Sequence, residues 1–89
     1  MSTVFIALQA NEDTRPLIDA IVQDNPEAVV NRQPAMVKID VPGKMSIHRV
    51  TIEEHIGRPY DLQELQINLI TLSGHVDEDE DCFTLCWNS

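Results

Sequence analysis

The run Thr51-Ile-Glu-Glu-His-Ile-Gly-Arg-Pro-Tyr-Asp-Leu-Gln-Glu-Leu-Gln-Ile-Asn-Leu-Ile-Thr-Leu-Ser-Gly74 sets a helix, a stop, a second capped turn and an apolar strand one after another without filler. Thr51 and Glu54 have the spacing of a capping box, in which the hydroxyl accepts the amide of Glu54 and the carboxylate accepts the amide of Thr51. A helix of about two turns is expected to follow, with Ile52 and Ile56 on its inner face. Gly57 can end it in the left-handed conformation, and Pro59 forbids its continuation. Asp61 and Glu64 repeat the capping logic for one more turn, after which Leu65 to Ser73 reads as a strand. That strand breaks its own pattern: Leu65, Ile67 and Leu69 are apolar at odd positions, then Ile70 and Leu72 at even ones. Three readings of the break stand open: burial on both faces near the strand's end, a bulge that re-aims the chain, or an exposed apolar patch that meets a partner.

Upstream, residues 3 to 9 are apolar at both parities, as an interior strand requires, with Val4, Ile6 and Leu8 on one face and Phe5 and Ala7 on the other. Asn11 to Asp13 supply N-cap oxygens, Pro16 fits only a first helical turn, and Leu17, Ile18, Ile21 and Val22 make one apolar stripe. A helix over 13 to 24 is predicted, stopped by Asn25-Pro26. Ala28 to Val30 starts a short strand. Ala35 to Val41 alternates strictly, with Ala35, Val37, Ile39 and Val41 on one face and Met36, Lys38 and Asp40 on a wetter one. Pro42-Gly43 signals a turn, and matching Val41 with Met45 and Ile39 with Ile47 predicts a three-residue hairpin loop. Phe83, Leu85 and Trp87 share one side of a final strand. The order predicts an α+β fold: one small domain over 1–89, mainly antiparallel, with two to three helices packed on one side.

Charge narrows the partners. With 89 residues, 15 of them acidic against 6 basic, the chain carries a net charge of −9. Few cations are available to displace counterions from a phosphate backbone, so neither nucleic acid nor an anionic membrane is an expected partner. No apolar run approaches the roughly 20 residues of a bilayer span. The first nine residues hold an apolar patch without a basic flank, which does not support a secretory signal, so a cytoplasmic location is the expectation. On a strand, the Cα atoms of Cys82 and Cys86 would lie about 13 Å apart. A disulfide needs less than about 7 Å, so reduced thiols are expected.

No catalytic, cofactor-binding or metal-ligating set is expected from the sequence. A helical diiron site uses Glu-x-x-His, but Met45, Ile52 and Leu72 precede His48, His55 and His75 by three. Asp77, Asp79 and Asp81 have the first spacings of a calcium loop, yet Cys82 stands where the turn needs glycine. A solvated turn that blunts a strand edge is the plainer reading of that acidic run. No nucleophile elbow or phosphate loop occurs. A buried empty pocket of about 300 Å³ would cost about 7 kcal/mol, against a total stability of about 4 to 13 kcal/mol for this length. His55 reads as a surface residue, His48 as a strand residue on the wetter face and His75 as a turn residue.

Glu53-Glu54, Gly57-Arg58-Pro59, Glu64-Leu65, Ile67-Asn68-Leu69 and Gly74 resemble the regulatory, or coupling, proteins of bacterial multicomponent diiron monooxygenases, the phenol hydroxylase effector type above all. The resemblance runs from the strand near residue 4 to Gly74. It implies a non-enzymatic effector without metal, flavin or haem, which binds the diiron hydroxylase component and promotes coupled hydroxylation. In that family, the stretch between an asparagine and a glycine six residues on lies against the oxygenase. Here these are Asn68 and Gly74, so Asn68, Ile70, Thr71 and Leu72 inherit the expectation of contact, and Leu72→Asp is expected to weaken docking and spare the fold. The alternative is a small α+β binding module for a metabolite or an unrelated protein partner.

Overall fold

Strand parity sorts the chain into two antiparallel sheets. The computed structural model describes residues 3 to 87. In chain order these form β1 (Thr3–Gln9), α1 (Arg15–Asp24), β2 (Val29–Arg32), β3 (Met36–Pro42), β4 (Lys44–His48) and α2 (Arg49–Ile56). A 3-10 turn (Leu62–Glu64), α3 (Leu65–Asn68), β5 (Leu69–Ser73), β6 (His75–Glu78) and β7 (Cys82–Cys86) complete the fold. One sheet has the order β2-β3-β1-β5 and the other β4-β7-β6. β1 is interior, as its two apolar faces required. Val4, Ile6 and Leu8 are wholly buried, while Phe5 on the opposite face carries the Lys38 ammonium 4.5 Å above its ring.

The inner faces of both sheets and the buried sides of the helices make one core. It joins Ile6, Ile39, Met45, Ile47 and Leu85 to Leu17 and Ile21 of α1, Ile52 of α2, and Leu62 and Leu65. The α+β reading, mainly antiparallel and with three helices, therefore holds.

The predicted β3–β4 hairpin does not form. β3 already has a partner along each edge, since Val41 faces Val4 of β1 and Ile39 faces Val30 of β2. With no free edge left, the chain passes at Gly43 into the second sheet, where Met45 pairs with Leu85 and Ile47 with Phe83. Met45 and Ile47 do share one buried face, as their parity predicts, but their neighbours are Leu85 and Phe83 rather than Val41 and Ile39.

Two helix starts differ from the expectation, the first by a local contact and the second through a tertiary partner. α1 starts at Arg15, two residues later than expected, with Asn11 Oδ1 accepting the Thr14 amide at 3.0 Å ahead of it. α2 starts at Arg49, so Thr51 lies inside the helix and forms no capping box. Its hydroxyl instead donates to Asp24 Oδ1 at 3.1 Å, tying α2 to the end of α1. The second box does form: Glu64 Oε2 accepts the Asp61 amide at 3.1 Å and Asp61 Oδ1 the Gln63 amide at 2.9 Å. Gly57 ends α2 in the left-handed region, at φ 75°.

Asn25 both stops α1 and fastens it to the second sheet. Its buried carboxamide donates to the carbonyls of Ile21 and Ser46, each at 2.7 Å, and accepts the Ser46 amide at 2.9 Å. Nothing in the Asn-Pro signal identified that second attachment.

Gly74 joins β5 to β6, and so one sheet to the other, at φ 135°. A Cβ there would come within 3.0 Å of the Val4 side chain, which is fully buried. Gly74→Ala is therefore expected to cost about 2 to 3 kcal/mol through backbone strain and overpacking. A denaturant midpoint lowered at unchanged slope would register it.

Candidate functional site

The segment expected to meet a partner is built differently from a single strand. Leu65 to Asn68 is a helical turn, and only Leu69 to Ser73 is strand, so the expected strand over Leu65 to Ser73 is corrected at its first four residues. Leu62, Leu65 and Leu69 are spaced as one helix face, and that signal was present in the sequence. The Asp61 cap starts the turn, Leu62 and Leu65 bury its inner side, and Ile67 is turned out to 73% exposure. The apparent change of apolar face thus begins with a change from helix to strand.

A bulge finishes it. β5 pairs with β1 through Ser73–Phe5, Leu72–Ile6 and Thr71–Ala7, but the next pair is Leu69–Leu8. Ile70 is the extra residue, and it is 48% exposed. β5 is the last strand of its sheet, so the bulge lies on an open edge. Thr71 is exposed, while Leu72 is half-buried against the core, opposite wholly buried Ile6. Leu72→Asp would strike the fold as well as any docking, contrary to the expectation that it spares the fold. Ile70 is the cleaner probe.

Asn68 is half-buried at the end of α3, and its Oδ1 accepts from Asn11 Nδ2 at 3.1 Å. Ile67 and Ile70 are thus two exposed apolar side chains close in sequence, with the half-buried Asn68 between them and the exposed Thr71 beside them. Ile67 is not among the expected contact residues, because a strand over Leu65 to Ser73 groups it with Leu65 and Leu69 on one face.

The other candidates resolve into structural roles. Asp77 and Glu78 belong to edge strand β6, and Asp79 to Asp81 turn the chain into β7. Asp79 Oδ1 accepts the amides of Asp81 and Cys82, both at 2.8 Å, and Asp81 binds the Arg49 guanidinium at 2.6 Å. Arg49 also reaches Glu53 at 3.2 Å, and the Asp81 bond and the Glu53 charge raise its pKa further. Glu53 Oε2 in turn accepts the Tyr60 amide at 2.9 Å. An open depression beside this network is lined by Tyr60, Glu64, Glu78, Asp79 and Glu80. Cys82 and Cys86 stand at the two ends of β7, not bonded to each other. His55 is on the surface, its Nε2 2.8 Å from Gln23 Oε1. His48 ends β4, and His75, expected in a turn, is the exposed first residue of β6. Among the described residues, no three His, Cys, Asp or Glu side chains form a metal-sized group, and no helix is long and apolar enough to cross a membrane.

Tyr60, the single tyrosine, is almost wholly buried, and its hydroxyl has no hydrogen-bond partner among the described residues. Burial first, and the Glu64 carboxylate next, push its phenol up to about 12. The unfolded chain releases that proton at about pH 10, so the folded state holds it more tightly. Stability is then expected to be unaffected by this group below about pH 10 and to fall between about 10 and 12 as the unfolded state ionises first. Near-ultraviolet absorbance should show the tyrosinate appearing with a midpoint at about 12. A midpoint of about 10 would mean that the phenol meets water.

Residues 2–86 match the model of the MmoB/DmpM family. The chain is 47% identical, over 99% of its own length and 98% of the other's, to the stimulatory component DmpM of phenol 2-monooxygenase from Pseudomonas sp. (strain CF600). A chain in a structure of a phenol hydroxylase–regulatory protein complex superposes with a TM-score of 0.94 at 47% identity, covering 98% of this chain and 100% of that one. The soluble methane monooxygenase regulatory protein B has the same fold, with a TM-score of 0.76 at 20% identity, over 97% of this chain and 65% of the other.

Proposed function

We infer the role of this chain from one premise, that it belongs to the MmoB/DmpM family: it is a regulatory subunit, not the catalytic component, and it binds the hydroxylase of a phenol monooxygenase and stimulates it. The observation that carries this is end-to-end identity of 47% with a stimulatory component, joined to near-superposition on a chain from a hydroxylase–regulatory protein complex. The whole chain acts as one regulatory domain in the cytoplasm, and its target is the diiron hydroxylase. It changes that enzyme by binding one of its conformations more tightly than another, because only differential affinity shifts a population. Better coupling of reductant and oxygen consumption to hydroxylation follows.

The docking face is Asn68, Ile70, Thr71 and the exposed rim of Leu72, extended by Ile67. Its support is the combination of an exposed apolar pair, an open strand edge and a helical turn that holds both in place. Purified hydroxylase and reductase, assayed over a range of ratios with and without this protein, test the function. Turnover and product formed per NADH are expected to rise to saturation. An unchanged rate and yield at every ratio would reject it.

A further inference from the structure

Asn11 lies fifty-seven residues from Asn68 in sequence and touches it in space. The carboxamide of Asn11 is engaged at both ends. Its Oδ1 takes the Thr14 amide at 3.0 Å, and its Nδ2 reaches Asn68 Oδ1 at 3.1 Å. These two contacts settle which way both amides point. A backbone N–H can only donate, so the atom of Asn11 facing Thr14 must be oxygen. The atom facing Asn68 is then the NH2 group, and the atom of Asn68 that meets it must be an acceptor. Asn68 is left with its own NH2 group, which has no partner among the described residues.

We propose that Asn11 is a positioning residue which fixes the Asn68 amide with its NH2 group outward, so that the docking face presents a hydrogen-bond donor to a neutral carbonyl oxygen of the hydroxylase. This rests on the docking face proposed above. The partner's chemistry follows from charge: a chain of net −9 disfavours a carboxylate opposite Asn68, whereas a main-chain or amide carbonyl offers the acceptor without repulsion. Ile67 and Ile70 give the face apolar area without direction, and beside the Thr71 hydroxyl this amide supplies the orientation that they alone cannot.

Asn11→Asp separates this role from a structural one. Aspartate still accepts the Thr14 amide, so the cap survives, but it cannot donate to Asn68. The Asn68 amide then turns to offer its NH2 group to the new carboxylate and shows the hydroxylase an oxygen instead. Asn68→Ala removes the donor outright. Each variant is expected to raise the half-saturating concentration for hydroxylase stimulation about tenfold, the effect of losing one interfacial hydrogen bond and leaving its acceptor unpaired. Maximal stimulation and the thermal unfolding midpoint should match the unsubstituted protein. In the Asn68→Ala background, Asn11→Asp should add nothing, which separates the amide reversal from the effect of one more negative charge. Asn11→Ser, too short to reach Asn68 but still able to cap Thr14, should weaken docking in the same direction without any added charge.

Wild-type docking by Asn11→Asp, or a penalty that persists undiminished in the Asn68→Ala background, would overturn the proposal. Ile70→Asp tells the two levels apart. If it abolishes docking while the Asn11 and Asn68 variants bind normally, only the amide inference fails. If Ile70→Asp and Asn68→Ala both bind normally, the face itself is wrong and the inference falls with it.

Discussion

Ile70→Asp is expected to raise the half-saturating concentration for hydroxylase stimulation by about 30-fold or more, while the isolated protein unfolds at its usual denaturant concentration. The reason is the bulge. Because Leu8 pairs with Leu69 and Ala7 with Thr71, Ile70 has no cross-strand counterpart on β1 to support. It remains 48% exposed, and a carboxylate there meets water in the free protein. Against an apolar surface of the hydroxylase, the same carboxylate would lose its hydration with nothing to replace it. Titrating turnover with the variant, beside its denaturant curve, reads both halves of the prediction. A normal half-saturation would place the docking face elsewhere. Leu72→Asp makes a useful contrast, since its side chain packs on the core and stability should fall along with docking.

The largest loss of stability is expected from Asn25→Ala, about 3 to 5 kcal/mol. Three hydrogen bonds of 2.7 to 2.9 Å disappear together, leaving the Ser46 amide and the carbonyls of Ser46 and Ile21 without the partner that bridged them. The bond to Ile21 is buried and those to Ser46 are half-buried, so water does not freely take the place of a carboxamide that is only 6% exposed. A domain of this length has about 4 to 13 kcal/mol in total, so the variant should be close to half-unfolded by mild denaturant. Urea unfolding followed by circular dichroism measures it. A change below about 0.5 kcal/mol would mean that the bridge is replaced by solvent.

Both predictions depend on features with unequal visibility in the sequence. The Asn25-Pro26 stop was legible because proline restricts the residue before it, a purely local effect. That Asn25 also grips Ser46 was not legible, because the partner lies 21 residues away and only folding brings it near. The patch shows the same division. Its apolar residues were visible, and a bulge was among the readings they allowed. Treating Leu65 to Asn68 as strand nevertheless concealed Ile67, although the spacing of Leu62, Leu65 and Leu69 announced a helix face.

Local chemistry alone determined the strands with strict alternation, the helix stops at Asn25 and Gly57, the capped turn at Asp61 and the antiparallel α+β class, since each follows from side-chain period or from backbone restriction within a few residues. Tertiary structure decided which strands became neighbours, sending β4 to β7 because both edges of β3 were occupied. It also decided that Thr51 would bind Asp24 rather than cap a helix, and that Asn11 would meet Asn68. An edge, a donor or an acceptor can be used only a limited number of times, and which claimant takes it depends on the whole fold rather than on its neighbours in sequence.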